Sequence, residues 1–338
     1  MANTNNIDMD ANAANHATGG PDIKEMRSVV LTGFGNLSKV KVYKSPQPMV
    51  GPGEVLIRVK ACGVNFQDLM IRQGVADNLP NTPLIMGYEV SGYVETWGDG
   101  VEGIQVGTPV LAFTRYGAMA EYVVAPFNRC YVMPNGMSFE DGASILMNYV
   151  TAYLILLKVA GASKDKILLI HGAGGGVGCA VAQLCNHIEN FTLIGTASQH
   201  KHEALRKMGL YTYLFDRYQQ DYVEEVKKLS PYGVDIVLDS LGGAEVDRGI
   251  SLTKPMGHYV LYGASISVVN DNEKGFLGYT KSLTQTPLNR LFQAQKVINQ
   301  WWQVEKINPV KLFEDNRSIG GFNLLNLLFD QGQEQLVP

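Results

Sequence analysis

Cysteine is scarce in this chain: four among 338 residues, Cys62, Cys130, Cys179 and Cys185, with no C-x-x-C pair. That argues against a disulfide scaffold and a cysteine-rich structural zinc site, and it suits a reducing, cytoplasmic setting. Charge of one sign is lacking too. Lys plus Arg number 28 against 32 Asp plus Glu, a net −4, which leaves no electrostatic footprint for nucleic acid or anionic membrane as the main partner. Met1–Lys24 has neither the basic start nor the apolar run of a signal peptide, and its Asn, Ala and Asp content reads as a disordered tail over 1–25. Long clean apolar runs are missing as well. Ala143–Val159 comes nearest, but Asn148 and Thr151 interrupt it and Lys158 ends it, short of the roughly 20 residues of a membrane span. A buried helix is expected there, and no transmembrane segment.

What is present is a hydrophobic fraction of 46% with 18% charged residues, enough for a sizeable core and, at this length, about two domains. From Met26 to about Gly142 the chain reads as short alternating runs separated by glycine: SVVLTGF, KVKVYKS, GEVLIRVKACGV, LIMGYEVSGYVETW, GTPVLAF and AEYVVAP. This predicts an all-β, barrel-like unit over 26–148. From Asp165 strands alternate with helical stretches: KILLIHGAG, VGCAVAQLCNHI, FTLIGTAS, KHEALRKMG, YLFD, VDIVLDSLGG and HYVLYGAS. That pattern predicts a doubly wound parallel sheet over 149–338. The stretch 268–315, with Trp301-Trp302, interrupts it and reads as a cap or insert, after which SIGGFNLLNLLFDQG reads as a strand entering a helix.

The segment His171-Gly172-Ala173-Gly174-Gly175-Gly176-Val177-Gly178 carries the most chemistry. It follows a buried strand and opens a helix, where missing Cβ atoms let a pyrophosphate approach free N–H groups at the positive end of the helix dipole. Gly172, Gly175, Gly176, Val177 and Gly178 are therefore the expected phosphate contacts. The strict G-x-G-x-x-G pattern is broken, because Cys179 stands at its third glycine. Gly98–Gly103 matches that pattern letter for letter but leads into another strand, so it reads as a turn.

An NAD enzyme places a carboxylate about 20 residues after this turn, on the ribose 2′-hydroxyl. Here the second strand ends at Thr196-Ala197-Ser198, with Lys201 next, and no carboxylate. A hydroxyl from Ser198 and a cation from Lys201 welcome a 2′-phosphate, so NADPH is the expected cofactor; an ordinary solvated lysine opening a helix is the competing reading of Lys201. Arg217, after the third strand, is either a further contact to that phosphate or a surface arginine. His171 reads as a packed strand-end residue.

With ACGVNFQDLM and MGYEVSG in the β part, the layout resembles the medium-chain dehydrogenase/reductase superfamily, a GroES-like catalytic domain followed by a Rossmann domain. In its zinc alcohol dehydrogenases the matching stretches give a Cys and a His to the metal. Here those positions are Asn65 and Tyr88, neither a plausible zinc ligand. The chain thus resembles the zinc-free quinone oxidoreductases. RVKACGVNFQDLMIRQG, VTAY, GGGVG, GTASQHKHEAL, GVDIVLDSLGG and KPMG are similar, more narrowly, to the vesicle amine transport (VAT) protein branch, homologue-like type, from about Arg27 onward.

The resemblance implies hydride transfer from NADPH to a small quinone or an α,β-unsaturated carbonyl, with no Lewis acid required. It implies that Asn65 bonds the nicotinamide or a substrate oxygen, with Asp68 beside it as the second catalytic candidate. Thr151 falls near the nicotinamide ribose, and Leu241, Tyr262 and Gly263 are further cofactor contacts. For Asn65, Asp68 and Thr151, plain backbone hydrogen bonding is the competing reading. Two departures stand out. The tyrosine that many quinone oxidoreductases carry after R-Q-G is absent from Arg72–Asp77. Family members also run on beyond the position of Pro338, so the return of the chain to the catalytic domain is expected to be truncated. The alternative is a protein that binds NADPH without efficient turnover, associated peripherally with vesicles. A homodimer joined through the strand near Ser318–Phe322 is a further implication.

Overall fold

The computed structural model describes residues 24–76, 79–218, 221–265, 268, 307 and 309–333. The tail expected over 1–25 and the cap expected over 268–315 lie almost wholly outside them. The chain divides into two compact units, Met1–Met147 and Asn148–Pro338.

The first unit is built on antiparallel strands. β1 (Glu25–Leu31), β2 (Val40–Pro46), β3 (Glu54–Cys62), β4 (Leu84–Ile85), β5 (Glu89–Trp97), β6 (Pro109–Phe113), β7 (Tyr122–Pro126) and β8 (Cys130–Val132) follow in order. They form a three-stranded sheet, β2-β1-β4, and a five-stranded sheet, β7-β3-β5-β6-β8. The expected barrel-like unit is thus two sheets. Alternation in the sequence sets the core: Val55 and Ile57 of β3, Val90 and Val94 of β5, Val110 and Ala112 of β6 and Val123 and Ala125 of β7 pack into one cluster. Gly98–Gly103 lies in the connection from β5 to β6 and forms a turn, as its context predicts.

An eight-residue helix, Phe66–Gln73, follows β3 directly. Asn65 is its N-cap, and Gly74 ends it in the left-handed region (φ 71°), where glycine carries no Cβ penalty.

A helical run, Phe139–Val159, contains the boundary between the units. It starts four residues earlier than the apolar stretch in the sequence suggests, and its 21 residues suffice by length and composition to cross a membrane; half of its most apolar window is buried within the fold. Much of it, Leu146–Val150 and Leu154–Val159, is π-helical.

The second unit is a six-stranded sheet in the order β11-β10-β9-β12-β13-β14, all neighbours parallel. Its strands are β9 (Ile167–His171), β10 (Thr192–Ala197), β11 (Tyr213–Asp216), β12 (Val234–Asp239), β13 (Thr253–Leu261) and β14 (Ser318–Gly321). β12 is buried at every position, and β9 at all but its first residue, which is why both read as continuous apolar runs. Helices Gly176–Cys185, Gln199–Met208, Tyr222–Leu229 and Glu245–Leu252 connect the strands. Separate clusters, around Leu168, Ile170 and Val181 and around Leu169, Val226 and Tyr259, hold the two faces. Among the described residues β14 is an edge strand, at the position the family resemblance implies.

Candidate functional site

The order reverses beside β9, which pairs with β10 on one side and β12 on the other. Ligands of such sheets bind outside the carboxyl ends of the strands at this switch. The glycine turn stands there. Gly172 takes φ +70°, and Gly175 N–H donates back to Gly172 O at 2.8 Å, closing the turn. The helix opens at Gly176, and Cys179 N–H makes a bond to Gly175 O. The N–H groups of Gly176, Val177 and Gly178 precede that bond and have no acceptor within the helix.

Each glycine has its own reason. A Cβ on Gly178 would lie 2.5 Å from Gly172 O and 2.7 Å from Ala173 O, both rigid backbone. On Gly176 it would meet Asn148 Oδ1 at 2.2 Å. Gly175 and Gly176 are exposed. The phenol of Tyr211 stands 2.9 Å from both Ala173 O and Gly178 O, tying the turn to the first helical turn.

Lys201 lies across this loop, with Nζ donating to Gly174 O at 3.1 Å. Ser198 is the N-cap of Gln199–Met208 and makes no side-chain capping bond. No carboxylate lies at Thr196–Ser198; Thr196 is buried, with Oγ1 2.9 Å from His171 Nδ1. His171 itself is fully buried and packs edge-on against Tyr222 at 5.1 Å, which makes it a packed strand-end residue. Burial holds its imidazole below the usual range. Exposed glycines, N–H groups without an acceptor in their own helix, a hydroxyl that makes no capping bond and an adjacent cation together fit a dinucleotide.

Other predicted residues gather at the same strand ends. Leu241 N–H donates to Asp239 Oδ1 at 2.6 Å, Tyr262 OH to His171 O at 3.3 Å, and a Cβ on Gly263 would press on Ser240 O at 2.8 Å. Arg217 is half-buried and donates to the Tyr218 hydroxyl at 2.6 Å, its guanidinium 4.5 Å from that ring. Thr151 is buried within its helical run.

In the first unit, Asn65 and Asp68 come together as the sequence suggests. Asn65 N–H donates to Asp68 Oδ2 at 2.8 Å, the carboxylate half of a capping box. Asp68 is buried, and desolvation raises it to about 6 against bonds from the Asn65 and Gly87 backbone. The partner that the motif reading passed over is Glu89. Its Oε1 accepts from Asn65 Nδ2 at 2.9 Å and its Oε2 from Met147 N–H at 2.9 Å. A carboxylate inside the apolar run LIMGYEVSGYV was the available signal. Asn148, Tyr211 and Asp239 were missed likewise; an Asn in an apolar helix was the only sign of the first.

The donor set does not fit zinc. Tyr88 is buried, and desolvation pushes its phenol far above the ordinary range, so it stays protonated. Asn65 offers an amide already engaged with Glu89. Among the described residues, no three His, Cys, Asp or Glu side chains are grouped to hold a metal ion.

Residues 51–135 match a model described as an alcohol dehydrogenase GroES-like domain, and 176–295 one described as zinc-binding dehydrogenase. The human synaptic vesicle membrane protein VAT-1 homolog-like is 49% identical over 316 residues, 94% of this chain and 70% of that protein. The chain belongs to the VAT-1 branch of the medium-chain dehydrogenase/reductase superfamily. A crystal structure of human VAT-1 homolog-like superposes with a TM-score of 0.74 at 44% identity, covering 93% of this chain and 83% of that one. A mycobacterial protein solved in complex with NADPH gives a TM-score of 0.72 at 26% identity over 91% of this chain and 84% of that one. A mycobacterial quinone oxidoreductase shares the fold at a TM-score of 0.70 and 24% identity, over 92% and 85%. This chain is accordingly an oxidoreductase-family protein with a nicotinamide-cofactor fold.

Proposed function

We propose that this VAT-1-branch chain is a zinc-independent, NADPH-dependent reductase of quinones or α,β-unsaturated carbonyls. The observation that carries the reading is the turn at Gly172–Gly178, open at Gly175 and Gly176 and flanked by Lys201 with no carboxylate at the end of β10. The backbone N–H groups of Gly176, Val177 and Gly178 would take the pyrophosphate, with Gly172 and Gly175 shaping the turn. Lys201 and Ser198 would take the 2′-phosphate, with Arg217 as a second cation. Leu241, Tyr262, Gly263 and Thr151 would line the rest of the cofactor. When bound, NADPH supplies a hydride to an electron-poor carbon. Asn65 orients the nicotinamide or the acceptor oxygen, and Asp68 holds Asn65 in place. Conjugation in such acceptors spreads the developing negative charge, which removes the need for a metal. The mycobacterial relative solved with NADPH supports the cofactor choice.

Titration calorimetry of the full chain with NADPH and NADH tests the cofactor, and NADPH oxidation with p-benzoquinone and with a simple enone tests turnover. Tight NADPH binding with acceptor-dependent oxidation is expected; no binding of either nucleotide would end the reading. A second reading, NADPH binding without efficient turnover on a vesicle surface, is favoured by the names of the relatives and predicts tight binding with no oxidation. A homodimer through the β14 edge belongs to the first reading and would show as a doubled mass in light scattering.

A further inference from the structure

Glu89 opens β5 with 1% of its surface exposed, and it is held by neutral donors. Oε1 accepts from Asn65 Nδ2, and Oε2 accepts from Met147 N–H. The Leu146 backbone also bonds it, and Asp68 stands near enough to repel it. Gly63 makes room for this arrangement, because a Cβ there would lie 2.2 Å from Glu89 Oε1. The position is therefore built around a carboxylate.

We propose that Glu89 is the positioning residue of the reductase site: it fixes which edge of the Asn65 carboxamide faces a ligand and ties that choice to the backbone at Leu146–Met147. The proposal rests on the assignment of Asn65 to the nicotinamide or acceptor. An ionised carboxylate only accepts hydrogen bonds, so Asn65 must turn its NH2 toward Glu89, with Oδ1 on the opposite edge beside the Asp68 backbone N–H of the capping box. The Met147 N–H belongs to the backbone and cannot reverse, so Oε2 is committed. A glutamine at this position would place its oxygen on Met147 N–H and its NH2 against Asn65. Asn65 would then have to rotate and present Oδ1 inward, reversing what it offers outward. Burial pushes the Glu89 carboxyl up to about 7, against the bonds from Met147 and Asn65 that hold it down and with Asp68 adding to the rise. Protonation would impose on Asn65 the same reversal as glutamine.

The test uses the full chain labelled with 15N-asparagine, the Asn65 side-chain amide being identified by its loss in Asn65→Asp. In the unmodified chain those amide signals should titrate with a midpoint near 7, and in Glu89→Gln they should be displaced and no longer titrate. NADPH affinity by calorimetry should stay within about twofold, since the glycine turn is untouched. For turnover with p-benzoquinone, Glu89→Gln should lower kcat about tenfold with KM for NADPH nearly constant. Adding Asn65→Asp to Glu89→Gln gives the new inward NH2 an acceptor while keeping an oxygen on the opposite edge, and should recover part of that loss. Asn65 amide signals identical with and without Glu89→Gln would overturn the proposal, and so would a kcat loss that the double variant leaves unchanged. If the unmodified chain binds NADPH but oxidises none, the reductase reading fails, and the amide signals alone decide whether Glu89 sets Asn65.

Discussion

Two sites in this protein are built from opposite materials. The turn at Gly172–Gly178 works through backbone: N–H groups, a helix end and the space left by absent Cβ atoms, nearly all from one stretch of sequence. The cluster at Asn65, Asp68 and Glu89 works through side chains from a helix start and a separate strand, buried and mutually constrained. A backbone site is indifferent to pH and intolerant of added atoms. A buried carboxylate site tolerates isosteric change in shape but is sensitive to protons. The contrast explains why the two sites should fail in different ways.

The sharpest separation should come from Gly178→Ala. Its Cβ would press on two backbone carbonyls that cannot yield, so a stability loss of about 1–3 kcal/mol and a loss of NADPH affinity beyond roughly a hundredfold are expected. Thermal melting and calorimetry read both, and unchanged NADPH binding would break the comparison.

Next in size is the pH dependence of the first unit. Burial raises Glu89 from 4.5 to about 7 and Asp68 from 3.8 to about 6. Groups raised on folding contribute stability that is fully present below their unfolded values and lost as pH rises through the folded ones. Urea unfolding should therefore show stability falling between about pH 4 and pH 7 by on the order of 1–3 kcal/mol, less steeply in Asp68→Asn. A flat profile would mean that these carboxyls are not desolvated as the fold implies.

Lys201→Ala should act on the cofactor alone, weakening NADPH about tenfold, or about 1.4 kcal/mol, with NADH affinity unchanged. Equal loss for both nucleotides would place Lys201 in shaping Gly174 rather than in reading the 2′-phosphate. The smallest effect belongs to the other glycine-rich segment. Gly100 has φ +80° and open space around its Cβ position, so Gly100→Ala should cost only about 1 kcal/mol of backbone strain and leave nucleotide binding alone. Any loss of NADPH affinity there would revive the letter-perfect motif at Gly98–Gly103.

Much of the nucleotide unit was legible because its signals are local. β9, the glycine turn and the helix after it are contiguous, so a run of apolar residues followed by glycines dictates strand, turn and helix in order. Gly209, the last residue of KHEALRKMG, ends Gln199–Met208 at φ 67°, again a local signal. The helix Phe66–Gln73 is hard to read among strands because its eight residues give too short a period to stand out. The start of the helical run at Phe139 was missed because Ser138 caps it outside the apolar stretch, accepting from Asp141 N–H at 3.0 Å. In sequence Asn148 reads as an interruption of a hydrophobic segment, whereas in the fold its side chain lies against Gly176.

By itself, then, the sequence determined what period and spacing encode: two units, a parallel sheet, a phosphate-ready turn and a missing 2′-hydroxyl carboxylate. Tertiary structure alone decided that Glu89 faces Asn65 and Met147, that Tyr211 braces the glycine turn, and that Lys201 lies over Gly174. The physical reason is distance along the chain. Hydrophobic periodicity and backbone conformation are set by neighbours in sequence. A hydrogen bond between residues 24 positions apart, as from Asn65 to Glu89, exists only once β5 has paired with β3 and brought the two side chains into one buried place.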